Sequence, residues 1–147
     1  MPSITMAPHL IVTNGPAALA FYKEALGAVE VMPANLAPDG RKVVHAELRI
    51  GEASFYVCDD FTPEQNRNPL ALGGSPVTLN LTVEDADAFF NRAVAAGATV
   101  TMPMEDTFWG ARYGKFTDPS GHEWAINQQV REVSPEEIQK ASDAYFG

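Results

Sequence analysis

The sequence predicts an α+β fold in which one unit, a strand followed by a helix and further strands, occurs twice. Residues 20–26 (AFYKEAL) resemble residues 88–94 (AFFNRAV), and both segments have the apolar pattern of an amphipathic helix. A strand pattern precedes each copy, and a glycine and further strand patterns follow it. A short helical match alone can arise by chance, but the same order of elements around both copies favours an internal duplication.

The first unit is predicted over about residues 3–60, starting with a strand over residues 4–12. Asn14-Gly15-Pro16 is typical of a helix start, because Asn14 or Gly15 can cap the helix and proline fits its first turn. After the helix-ending Gly27, residues 43–50 alternate and predict a two-faced strand, followed by another over residues 54–58. We expect Val44, Ala46, Leu48 and Ile50 on its apolar face, and His45, Glu47 and Arg49 on its polar face.

A linker or mobile loop is predicted over about residues 61–76, and the second unit over about residues 77–130. Its first strand alternates over residues 77–83, with Thr78, Asn80 and Thr82 on the polar face, and a helix begins at Asp85. Further strands are predicted over residues 99–102, 112–117 and 123–127. Ser134-Pro135-Glu136-Glu137 is a capping box that predicts a C-terminal helix to about residue 145.

Composition and net charge disfavour several kinds of partner and cellular location. The net charge of −9 disfavours nucleic acid and anionic membrane surfaces as partners, since both are negatively charged. The lone Cys58 has no internal disulfide partner and no basic neighbour that would activate a thiolate, so we interpret it as a small strand residue. The sequence shows neither a signal peptide nor an apolar run of membrane-spanning length, and a cytoplasmic location is the expectation.

Five short motifs occur in an order that resembles a known family. They are the helix A-x-x-F-Y-x-x-x-L-G-A (residues 18–28), HAEL (45–48), VEDAD (83–87), FWGARYG (108–114) and DPSGHEW (118–124). This pattern is similar to the PhnB-like branch of the vicinal-oxygen-chelate superfamily, which includes glyoxalases, bleomycin-resistance proteins and dioxygenases. The resemblance covers residues 3–130 and implies a single glyoxalase-like domain.

The resemblance implies two βαβββ modules whose curved mixed sheets surround a ligand cavity, with the helices outside, and it implies a homodimer. Metal-dependent members take one ligand from each of four strands, usually His or Glu. Those positions fall near Ala7, Tyr56, Thr78 and Ala125, none of which is a strong ligand for a divalent transition metal. We therefore expect no metal cofactor and no glyoxalase I, extradiol dioxygenase or thiol-transferase chemistry.

A displaced divalent metal site is the alternative. His9 and Glu123 each lie two residues from an expected ligand position, and residues i and i+2 of a strand share a face. His45 and Glu47 also share a face, so these four side chains could bind a metal together. They could equally be hydrogen-bonding residues of the cavity or of exposed strands.

Three further sets of residues are candidates for ligand contact. Tyr56, Thr78 and Asn80 are expected to line the cavity as uncharged hydrogen-bonding groups. Trp109 and Arg112 could form a lid that stacks on a ligand and binds an anion, or Trp109 could close the core at a dimer seam. Trp124 alternates with Glu123 and is expected in the core, and His122 is expected to serve a turn.

Two functions are compatible with these residues. The first is a small-molecule-binding protein of the glyoxalase/bleomycin-resistance type, without the usual metal site. The second is a lyase or isomerase that uses the displaced metal site, or acid/base chemistry by His45 and Glu47. A partner-binding module has no motif to support it.

Overall fold

The computed structural model of the chain describes residues 3–62 and 64–147. Met1, Pro2 and the linker residue Pro63 lie outside the described residues. The elements follow one another in this order: β1 (His9–Val12), α1 (Gly15–Leu26), β2 (Val29–Glu30), β3 (Asn35–Leu36), β4 (Val43–Ile50), β5 (Ala53–Asp59), α2 (Pro69–Leu72), β6 (Thr78–Thr82), α3 (Ala86–Ala95), β7 (Thr99–Asp106), β8 (Ala111–Thr117), β9 (Glu123–Gln129) and α4 (Pro135–Phe146).

The two sheets have the same strand order. The first runs β1-β5-β4-β2, with the short β3 also paired to β4, and the second runs β6-β9-β8-β7. In chain order, the first and last strands of each module pair in parallel, β1 with β5 and β6 with β9. The other strand pairs are antiparallel. The predicted α+β fold with two βαβββ modules is confirmed.

The helices begin where the capping residues predict. The Asn14 side chain accepts a hydrogen bond from Ala17 N at the start of α1, and Asp85 accepts one from Ala88 N at the start of α3. Ser134 likewise caps α4 by accepting from Glu137 N. Gly27 ends α1 with a φ of 67°, a left-handed conformation that glycine adopts without steric cost.

One continuous core joins the two sheets. Tyr22 of α1 packs against Phe55 of β5 and Trp124 of β9, with ring centroids 5.3 Å and 5.8 Å away, and the latter two rings are 5.5 Å apart. The helices also contact each other, since Arg92 of α3 donates from Nε to the Glu24 carbonyl of α1 over 2.7 Å. The ring contacts of Trp124 and its burial make it a core residue, as the sequence predicts.

The predicted faces of β4 are wrong at one position. Val44 is 44% exposed, whereas its neighbour Val43 is fully buried. The pairing of β4 with β3 shifts register here, so a bulge interrupts the alternation. The Val43 N–H donates to the Asp59 carboxylate over 2.7 Å, and the same carboxylate accepts from Gly15 N at the start of α1.

Two predicted strands differ from the structure by more than two residues at one end. β1 begins at His9 rather than at residue 4, because its pairing with β5 starts at His9 opposite Tyr56. Residues 3–8 are not in a strand, and the side chains of Ile4 and Met6 are exposed. β7 continues past residue 102 to Asp106, with register shifts on both sides of Met102 that keep it paired to β8 around Pro103.

The segment predicted as a linker contains the short helix α2. Asn68 caps it by accepting from Ala71 N, and the Asn68 amide also donates to Asp60 over 2.6 Å. Leu70 packs close to Gly121, so this part of the linker covers the turn between β8 and β9. No helix among the described residues is long and apolar enough to cross a bilayer.

The single cysteine lies in β5. Cys58 is buried, and burial raises the pKa of its thiol, with Asp59 and Asp60 adding to the effect. Each of these influences favours the neutral thiol over the thiolate. The structure therefore agrees with a packing role for Cys58.

Candidate functional site

A row of candidate residues crosses the polar face of the first sheet. His9 of β1 lies opposite Tyr56 of β5, and Tyr56 lies opposite Glu47 of β4. Paired residues point to the same side of a sheet, so these three side chains share one face. The ring of His45 is 5.3 Å from that of Tyr56 and 6.3 Å from that of His9. The structure thus brings four of the predicted candidates into one cluster.

Beside this cluster lies a cavity of about 770 Å³, a volume typical of small-molecule sites. Both sheets contribute to its wall. The lining residues come from the segment before β1, the β4–β5 hairpin, β6 and β9: Thr5, Met6, Ala7, Pro8, Glu47, Ile50, Glu52, Ala53, Ser54, Phe55, Tyr56, Val77, Thr78, Leu79, Asn80, Leu81 and Trp124.

The cavity does not lie over a single sheet face. Residues 53–56 and 77–81 line it without a gap, although successive strand residues point to opposite faces. It therefore extends around the end of the β4–β5 hairpin and along β6, which is an edge strand of the second sheet. The cavity wall therefore contains both apolar and polar residues.

Four predicted candidates line this cavity, namely Glu47, Tyr56, Thr78 and Asn80. His45 does not, although its ring packs on Tyr56. His9 lines a smaller neighbouring cavity of about 300 Å³, together with His122 and Leu79 of β6. The two cavities share Pro8, Val77 and Leu79 in their walls.

Glu123 lies behind the lining residue Thr78. The Thr78 hydroxyl donates to Glu123 Oε1 over 2.6 Å, and Lys115 forms an ion pair with the same oxygen at 3.1 Å. The hydrogen bond from Thr78 and the Lys115 ammonium hold the pKa of the Glu123 carboxyl below its usual value. Glu123 thereby orients Thr78 and is itself outside the lining of the larger cavity.

Trp109 and Arg112 lie outside that lining as well. Arg112 is opposite Gln128 in the second sheet, on the side that faces α3, and it forms ion pairs with Asp87 and Asp106. Its guanidinium is therefore already engaged by carboxylates. Trp109 is partly exposed in the turn before β8 and packs against the rings of Phe108 and Tyr113.

The donor set does not fit a divalent metal. Across residues 3–62 and 64–147, no three His, Cys, Asp or Glu side chains are grouped so that they could hold one ion. His9, His45, Glu47 and Glu123 therefore do not form the displaced site that their strand spacing made conceivable. The positions carried over from the metal-dependent relatives hold Ala7, Tyr56, Thr78 and Ala125, of which the two alanines have no donor atom.

Two acidic residues of this region were not among the predicted candidates. Glu52 lines the cavity, whereas the sequence indicated only a tight turn at that position. Asp118 is buried, and its carboxylate accepts from the Tyr22 hydroxyl and from Trp124 Nε1. Its place at the start of an Asp-Pro-x-Gly turn predicts only the local bond from Ser120 N, which the structure also has.

The turn that Asp118 begins connects the two sheets. His122 Nε2 lies 2.7 Å from the Ile11 carbonyl of β1, and Thr13 N donates to Ser120 Oγ. Trp124, which lines the cavity, is thus held in an arrangement to which α1, β1 and β9 all contribute. Among the described residues, every buried side-chain nitrogen and oxygen has a hydrogen-bond partner.

Comparison with known proteins identifies the family to which this architecture corresponds. The profile of the Glyoxalase/Bleomycin resistance protein/Dioxygenase superfamily matches residues 4–126. The chain belongs to this superfamily. Its motifs for the second glyoxalase module, up to Trp124, lie within the matched range.

Individual proteins are similar to this glyoxalase-superfamily chain over most of its length. The uncharacterized protein Mb0911c of Mycobacterium bovis is 46% identical over 142 residues, which cover 92% of this chain and 90% of that protein. The structure of the At5g48480 product of Arabidopsis thaliana is 32% identical with a TM-score of 0.66, covering 85% of this chain and 98% of that one. PA1353 of Pseudomonas aeruginosa is 28% identical with a TM-score of 0.68, covering 88% and 100%.

Proposed function

We propose that this chain is a small-molecule-binding protein of the glyoxalase/bleomycin-resistance type that works without the superfamily's usual metal site. The observation that carries the proposal is the cavity of about 770 Å³ with a mixed apolar and polar wall built by both sheets. The absence of a grouped donor set among the described residues supports a function that needs no metal. The order of the five motifs supports the PhnB-like branch as the finer assignment.

Acid/base catalysis by His45 and Glu47 is less well supported. Such a pair must reach one bound ligand from both side chains, because each must exchange a proton with it. Glu47 lines the cavity and His45 lies outside the lining. We therefore propose ligand binding ahead of lyase or isomerase activity.

The proposal is tested by obstructing the cavity. Asn80 is exposed on β6 and lines the cavity, whereas Thr82, two residues along the same strand face, is exposed and does not line it. Asn80→Phe should abolish saturable binding of small amphiphilic compounds in ligand-observed NMR, and Thr82→Phe should leave it intact. Equal binding by both variants would place the ligand elsewhere.

We further propose that the protein forms a homodimer. The segment before β1 supports this, because Ile4 and Met6 are 96% and 94% exposed in the single chain. Met6 also lines the cavity, so a partner that covered this segment would narrow the cavity entrance. Light scattering should give twice the chain mass of 15.9 kDa, and a single-chain mass at micromolar concentration would contradict the dimer.

A further inference from the structure

The cavity wall has charge of one sign only. Glu47 and Glu52 line it, and no lysine, arginine or histidine among the described residues does. Glu52 lies in the turn between β4 and β5, and Glu47 lies within β4, opposite Tyr56 of β5. The wall thus offers a ligand two carboxylates and no cationic group.

These carboxylates have no cationic partner within the described part of the chain. Among the described residues, no ion pair or side-chain hydrogen bond involves either of them. Lys115 pairs with Glu123, and Arg112 pairs with Asp87 and Asp106. Two residues along β4 from Glu47, Arg49 is exposed and does not line the cavity.

The rest of the wall suits an apolar or aromatic body. Phe55 and Trp124, whose ring centroids are 5.5 Å apart and whose exposed fractions are 3% and 2%, form the buried base of this wall. Ile50, Leu79 and Met6 add apolar surface. Tyr56, Thr78 and Asn80 supply neutral hydrogen-bonding groups between the apolar side and the acidic side.

This arrangement discriminates among ligands by charge. An anion would be repelled by both carboxylates, and a neutral ligand that displaced water would leave them without a partner. A cation would form charge-assisted hydrogen bonds with them. The net charge of −9 acts in the same direction, because it raises the concentration of cations near the surface.

We propose that the cavity takes a cationic amphiphile, an aromatic or branched apolar body that carries an amine. Glu47 on the sheet face binds the ammonium group, Glu52 at the hairpin turn adds to the negative potential of the cavity, and the wall that contains Phe55 and Trp124 packs on the apolar body. This inference rests on the proposed binding function and names the chemical class of its ligand.

The test uses three probes that share one ring system: 1-naphthylmethylamine, 1-naphthylmethanol and 1-naphthoic acid. Their dissociation constants are measured by ligand-observed NMR with the full chain. The amine should bind about tenfold more tightly than the alcohol, and the acid should bind most weakly. Glu47→Gln should weaken amine binding about three- to tenfold, Glu52→Gln should weaken it by a smaller factor, and both should leave alcohol binding unchanged.

Glu84→Gln is the matched control, because Glu84 is exposed, does not line the cavity, and its replacement changes the net charge by the same amount. It should leave amine binding unchanged, and circular dichroism of each variant checks that it is folded. Equal affinity for amine and alcohol, or equal weakening by Glu84→Gln, would overturn the cationic ligand class while the binding function stands. Failure of all three probes to bind would overturn both proposals.

Discussion

The indole Nε1 of Trp124 donates a hydrogen bond to Asp118 Oδ2 over 2.9 Å, and this bond connects the cavity wall to the contact between the two sheets. The same oxygen accepts from the Tyr22 hydroxyl of α1 over 2.6 Å. The other oxygen accepts from the backbone N–H groups of Ser120 and His122. One buried carboxylate therefore fixes a helix of the first module, a turn of the second, and a ring that a ligand would touch.

Removal of this carboxylate should be costly. Asp118→Ala leaves four buried or half-buried donors without their acceptor, so we expect a loss of about 3 kcal/mol or more in the free energy of unfolding. Urea denaturation measures it. Asp39→Ala, which removes an exposed turn residue bonded only to Arg41 N, should cost less than about 1 kcal/mol. Similar losses for both variants would contradict the central role of Asp118.

The loss of stability at alkaline pH should depend on Tyr22. Burial, followed by the charge and hydrogen bond of Asp118, raises the pKa of the Tyr22 hydroxyl well above its ordinary value. The stability that depends on neutral Tyr22 is fully present below the unfolded-state pKa of about 10 and is lost as pH rises toward the folded-state value. Tyr22→Phe should therefore flatten the fall in melting temperature between about pH 9 and pH 11. Parallel curves for the variant and the parent would contradict this.

The contact between α1 and Asp59 should tolerate no side chain at Gly15. A Cβ there would collide with the Asp59 carboxylate and with Val43, the same groups that the bulge in β4 brings together. Gly15→Ala should cost about 2 kcal/mol or more through overpacking. Gly40→Ala is the comparison, because Gly40 has a φ of +73° but open space around it, and backbone strain alone should cost about 1 kcal/mol. Equal melting of both variants would argue against the close approach.

His45 and Glu47 should matter little for stability. His45 is exposed and Glu47 is half-buried, so alanine at either position should change the free energy of unfolding by less than about 1 kcal/mol. Glu47→Ala should weaken binding of 1-naphthylmethylamine, whereas His45→Ala should affect it only through the packing of Tyr56. Thermal melting and ligand-observed NMR on the same samples separate the two effects. A large drop in melting temperature for both variants would make them structural residues.

Much of this fold was predictable from local signals. Asn14, Asp85 and Ser134 cap the helices that their sequence context indicates, because capping depends only on a side chain and the backbone a few residues later. The bulge at Val44 was not predictable, since it lies in the pairing of β4 with the two-residue β3, which no alternation pattern indicated. Alternation therefore assigned Val44 to the wrong face.

Some residues of the candidate site were likewise predictable from the sequence, and others were not. Thr78 and Asn80 follow from the alternation of their strand, and both line the cavity. Arg112 could not be placed without the register of β8, which turns it toward the helix side and its acidic partners. Glu52 was missed because the sequence signal of a tight turn does not indicate what the turn faces. Asp118 was missed because its side-chain donors are Tyr22, which is distant in the sequence, and Trp124, which lies in the following strand.

The most direct test of the account follows the indole N–H of Trp124 in ¹⁵N–¹H NMR spectra during titration with the three naphthyl probes. The chain has two tryptophans, and Trp109→Phe assigns the two indole signals. The account predicts a saturable shift of the Trp124 signal, largest with the amine, while the Trp109 signal stays in place and Asn80→Phe abolishes the shift. No saturable shift at Trp124 with any probe, or an equal shift at Trp109, would contradict a ligand site between the two sheets.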